Sequence, residues 1–167
     1  MATKTAERSS LDLLLGLYDY HTKLYLNSLE GLSDKDAANR LGTKANHIAW
    51  IAGSLVQQRF ALAGAMGIEE RQTSDELFAG FKGIQDNVTY PSLEEYRKDW
   101  ERISPLLRDA IANADESVLD GKDPFGIPGG DYTLFDTLTF TTDRESYCIG
   151  QIGLFRRLLG HAAMKFD

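Results

Sequence analysis

Residues 92–111, SLEEYRKDWERISPLLRDAI, decide the fold class. The stretch opens with S-x-x-E, a spacing that lets a serine hydroxyl and a glutamate satisfy each other's exposed backbone N–H groups at a helix start. Leu93, Tyr96, Trp100, Ile103, Leu106, Leu107 and Ile111 then fall at steps of three and four. That period places them on one stripe of an amphipathic helix. Pro105 lies inside the pattern, and because the stripe continues on both sides the expectation is a kink and not a break.

The same period recurs on either side. Leu11, Leu14, Leu15, Tyr18, Leu24, Tyr25 and Leu29 form a stripe on a first long helix, with Ser9 or Ser10 as its cap and Gly31 at its end. Ser33 and Asp36 have nearly capping-box spacing, which predicts a short helical turn. Asn46 to Ala65 reads as the second long helix, and its Ala49, Ala52 and Gly53 would admit a neighbouring helix closely. Residues 67–91 read as a connection with a short helix around Ser74 to Phe81. The run 120–132, DGKDPFGIPGGDY, is the clearest loop. Thr133 and Asp136 then open a fourth long helix that runs to Gly160. Strand patterns are almost absent. The expectation is an all-α single domain over residues 1–167, a four-helix bundle with a long crossover between its second and third helices.

Composition narrows the function. The 167 residues carry 18 Lys+Arg against 25 Asp+Glu, a formal net charge of -7, and an acidic surface disfavours nucleic acid as a partner. The densest early apolar run, Leu11 to Tyr18, holds Asp12 and is too short to cross a bilayer, so no membrane partner is expected. Cys148 is the only cysteine, and the polar start MATKTAERSS has no apolar leader core. Both fit a cytoplasmic protein. There is no G-x-x-x-x-G-K-[ST], G-x-G-x-x-G before a helix, H-E-x-x-H or G-x-S-x-G.

In a bundle, sites are built from polar side chains on inward stripes. His47 opens the second helix, where it reads as a structural histidine first and a ligand or base second. His21 reads as a partly exposed helix residue, and His161 has no neighbours that suggest a site. Arg144 and Cys148, four apart, share a face of the fourth helix, and Glu145 and Gln151 flank them. Arg144 at the edge of an apolar stripe needs a carboxylate, water or an anionic ligand.

These pieces resemble the DinB-like family, the DinB/YfiT-like putative metalloenzymes, over nearly the whole chain. The resemblance rests on Gly31-Leu32-Ser33-Asp34, on Asn46-His47-Ile48-Ala49-Trp50, and above all on Arg144-Glu145-Ser146-Tyr147-Cys148-Ile149-Gly150-Gln151-Ile152-Gly153. Arg156-Arg157 and the ending Ala163-Met164-Lys165-Phe166-Asp167 extend it. It implies a four-helix bundle, commonly a homodimer, here with Gly150 and Gly153 as a small-residue contact patch. It also implies a divalent metal, often zinc or nickel, on one histidine opening the second helix and an H-x-x-x-H pair on the fourth. Some relatives are thiol-dependent transferases.

His47 matches the first ligand position, and Arg144 and Cys148 stand where the pair would be. Arginine carries a permanent charge and cannot ligate. The expectation is a site without metal, remodelled into a pocket for a small molecule or anion and lined by His47, Arg144, Cys148, Glu145 and Gln151. The alternative is a transferase or hydrolase with zinc rearranged onto His47, Cys148 and Glu145, or with Cys148 made reactive by the charge of Arg144.

Overall fold

The protein is described by a computed structural model over residues 9–167. The polar start read for a leader therefore lies mostly outside the described residues. Six α-helices follow in order: α1 (Ser10–Leu29), α2 (Asp34–Ala37), α3 (Ile48–Ala65), α4 (Leu93–Ala112), α5 (Glu116–Leu119) and α6 (Leu134–Leu158). Two short 3₁₀ turns, Asp75–Leu77 and Ala79–Phe81, interrupt the connection before α4. No strand forms among the described residues; the backbone pairing at Lys122 and Thr133 is an isolated bridge.

Helix starts follow local chemistry. Ser9, Ser33, Ser92 and Thr133 each accept a bond from the backbone N–H three residues on, and the acid there, Asp12, Asp36, Glu95 or Asp136, closes the box. α6, the fourth long helix, ends at Leu158, short of Gly160, which takes a positive φ of 91° just beyond it. α4 runs unbroken through Pro105. The proline removes one bond, the one to the Glu101 carbonyl, and Glu101 is exposed, so water can replace it.

Long-range hydrogen bonds give the helix directions. Along α1 and α4, Arg108 bonds Asp19 at 2.6 Å and Trp100 Nε1 donates to the Thr22 carbonyl at 3.0 Å, so the two run antiparallel. Along α1 and α6, His21 lies 3.5 Å from Glu145 and Arg156 donates to the Ser28 carbonyl at 2.9 Å, so they run parallel. Gln58 with Thr141 and Ser54 with Arg144 make α3 and α6 antiparallel. The order is up-down-down-up.

α1 packs on α4 and α6, and α3 packs on the same two, so α1 and α3 sit on one diagonal. Tyr25 bridges that diagonal with a bond to the Ala52 carbonyl at 3.3 Å. Because α3 and α4 are parallel, residues 66–92 must return the chain along the length of α3, whose 18 residues at ~1.5 Å each span about 27 Å. Trp100, Tyr25, Tyr96, Leu29, Leu55 and Ile103 are essentially fully buried at the centre. No helix among the described residues is long and apolar enough to cross a membrane.

Candidate functional site

His47 is the N-cap of α3. Its Nδ1 accepts the Trp50 backbone N–H at 3.0 Å, and its ring meets Tyr90 edge-on at a centroid distance of 5.1 Å. Burial pushes the imidazole pKa down, and nearby Arg40 adds to this. The ring is therefore neutral at pH 7, which its role as acceptor requires. It lines a cavity of about 420 Å³ together with Arg40, Gln85 and Tyr90.

Arg144 lines a different cavity, of about 510 Å³, between α3, α6, the crossover and the loop before α6. Its Nη1 donates to Gln58 Oε1 at 2.9 Å and its Nη2 to Ser54 Oγ at 3.1 Å. The contacts within the chain are thus to neutral oxygens: among the described residues Arg144 forms no ion pair. His47 and Arg144 were expected to share one pocket, and the structure separates them into two. The reason is the cap: the N-cap backbone is extended, and the ring is spent on the Trp50 N–H.

Glu145 was expected beside Arg144 at the pocket. It faces the core, 2% exposed, and holds Arg59 by two bonds, Nε to Oε1 at 2.7 Å and Nη2 to Oε2 at 2.9 Å. Neighbours on a helix point about 100° apart, so adjacent residues rarely share a target. Arg59 has no exposed surface. Its guanidinium lies 3.6 Å from the Trp100 ring centroid and 3.9 Å from that of Tyr18, and it also donates to Thr22 Oγ1 and Ser104 Oγ at 2.7 Å each. This centre ties all four long helices together. His21 belongs to it, buried beside Glu145 and not partly exposed as its spacing suggested. The sequence signal for Arg59 was a lone cation amid the apolar run of α3.

Burial opposes ionisation of Glu145, but the Arg59 charge and hydrogen bonds outweigh it and hold the carboxyl below its ordinary range. Cys148 is 5% exposed, and burial pushes its thiol pKa up, with Arg144 only partly offsetting this. It is a buried thiol in which desolvation outweighs the neighbouring charge, which counts against the alternative of a thiolate activated by Arg144. Gln151 is half-buried on α6 and makes no side-chain hydrogen bond among the described residues. His161 does have a partner, Asp36 at 3.2 Å.

The donor set does not fit a divalent metal. Arg144 cannot ligate, His47 spends one nitrogen on the helix cap, and Glu145 is taken by Arg59. Among the described residues no three His, Cys, Asp or Glu side chains gather to hold one.

The larger cavity has a different lining. Trp50, Phe78, Phe81 and Phe125 supply aromatic walls, and Arg144 and Lys82 supply positive charge. No acidic residue lines it, although acids outnumber bases in the chain. One wall is fixed by Asp123, a residue that the loop composition did not single out. Its carboxylate accepts the N–H groups of Phe125 at 3.1 Å and Ile127 at 2.6 Å and the Thr137 hydroxyl at 2.8 Å. Burial opposes its charge, but these bonds prevail and lower its pKa. No protein-family model matches the chain, and no curated protein matches it in sequence.

Proposed function

We propose that this chain is a DinB-like four-helix bundle that has lost its metal and in which one former metal position, Arg144, lines a pocket for a small anionic organic molecule, while His47 and Cys148 lie outside that lining. The observation that carries the reading is Arg144. A guanidinium has five N–H donors, and two of them meet neutral oxygens of the protein. Its charge faces a cavity of about 510 Å³, within the ~300–1,000 Å³ usual for small-molecule sites. An anion bound there would complete the pairing that a half-buried cation lacks.

The test uses the fluorescent aryl sulfonate 1-anilinonaphthalene-8-sulfonate on the folded chain. Arg144→Gln is expected to weaken its binding roughly tenfold or more, the worth of one charged hydrogen-bond pair, with the thermal midpoint little changed. Unchanged affinity would sink the reading. The family assignment has its own test. Changing Arg144 and Cys148 together to histidine should create nickel or zinc binding that depends on His47, and a double variant that binds neither metal would count against it.

The reading includes a cytoplasmic homodimer. Tyr147, Leu154 and Leu158 are exposed along one side of α6 with the open Gly150 among them, which supports pairing there. Gly153 contributes less than its spacing suggested, because Met164 of the same chain already covers it, with Sδ 3.3 Å from where a Cβ would sit. A monomer mass in sedimentation at high micromolar concentration would reject the dimer.

A further inference from the structure

We infer that the ligand of the Arg144 cavity is an aromatic monocarboxylate with its carboxylate on the guanidinium and its ring among Trp50, Phe81 and Phe125. The inference rests on the proposed anion site and adds the chemical class of its occupant.

Charge count sets the head group. Arg144 is the half-buried cation of the cavity, and Lys82 stands exposed, its Nζ donating to the Glu76 carbonyl at 2.8 Å. One guanidinium balances one negative charge. A phosphate dianion would carry a second charge into a space walled mostly by apolar side chains, where only the exposed Lys82, turned to the Glu76 carbonyl, could answer it. With Nη1 and Nη2 each donating once to Gln58 and Ser54, the guanidinium keeps three N–H groups in one plane. A planar carboxylate can take two of them side by side.

The walls set the body. Aromatic rings meet each other edge-on or offset with a gain beyond the area they bury. Phe81 is 83% exposed and held at a positive φ of 59°, a conformation that a bulky residue seldom adopts. An aromatic ring in the cavity mouth would cover it. Phe125, in the same lining, is held by the Asp123 bonds. Trp50 also lines the cavity.

The test is competition against the aryl sulfonate on the full chain, using 3-phenylpropanoate, octanoate, 3-phenylpropanamide and phenyl phosphate. The acid should compete at least roughly tenfold better than its neutral amide, an advantage that Arg144→Gln abolishes. It should also outcompete octanoate roughly two- to tenfold, an advantage that Phe81→Ala or Phe125→Ala reduces. Octanoate binding as tightly as 3-phenylpropanoate would overturn the aromatic class and leave the anion site standing. Phenyl phosphate binding tighter than the acid would overturn the monocarboxylate head group. Amide and acid competing equally would overturn this inference and the proposed function together.

Discussion

Replacing Glu145 with Gln removes one charge from the middle of the molecule and leaves the other. The Arg59 guanidinium has no exposed surface, so water cannot reach it. It would keep Thr22 Oγ1, Ser104 Oγ and the two rings, but no anion. Breaking a buried pair from one side costs about 3–5 kcal/mol, because the remaining charge stays buried. That is a large part of the ~5–15 kcal/mol typical of a whole domain. At ~2–4 °C per kcal/mol for this size, the midpoint should fall by roughly 6–20 °C.

The sign with pH follows from the depressed carboxyl of Glu145. Its contribution is complete above the ordinary glutamate pKa and is lost as pH falls through the lower folded value. Urea unfolding of both proteins from pH 8 downward should therefore show a constant gap near neutrality that narrows in acid. Arg59→Met with Glu145→Leu, which removes both charges, should recover much of the loss. A gap under about 1 kcal/mol at pH 7, or one that does not narrow in acid, would refute the claim that this pair is desolvated and ionised.

Gly53→Ala should destabilise by about 1–3 kcal/mol or prevent folding, since its Cβ would lie 2.3 Å from Phe78 Cζ and 2.5 Å from Tyr96 Oη; chemical denaturation reads this directly, and a neutral result would mean α3 and α4 pack less closely. Ser92→Ala should cost about 1 kcal/mol by removing the cap of α4, measured in the same way. Cys148 should resist a disulfide reagent at pH 7.5 in the native protein and react once urea unfolds it; full modification in minutes without denaturant would contradict its burial.

The larger cavity shows how far local patterns reach. Arg144 and Cys148 fall on one face of α6 by spacing alone, and the need of Arg144 for oxygen partners follows from its charge. Its actual partners, Ser54 and Gln58, lie 90 and 86 residues away in the chain. Spacing within α6 carries no information about them. The separation of His47 from Arg144 was illegible for a different reason: a histidine opening a helix can turn inward as a ligand or back onto its own N–H groups, and the same sequence serves both. Asp123 went unread because a loop rich in glycine and proline shows where a turn occurs and not which side chain closes it.

The four long helices, and the starts of α1, α4 and α6, were written locally. A 3.6-residue period and a box of serine or threonine with an acid three residues later act within one or two turns, so Ser92 and Glu95 find each other whatever the rest of the chain does. The up-down-down-up order, the diagonal of α1 and α3, and the Arg59–Glu145 centre were decided only in three dimensions. They depend on which apolar stripe faces which, and on a cation and an anion 86 residues apart leaving water together. A buried charge is tolerable only when its partner arrives in the same folding event, and that pairing is a property of the packed molecule and of no segment of it.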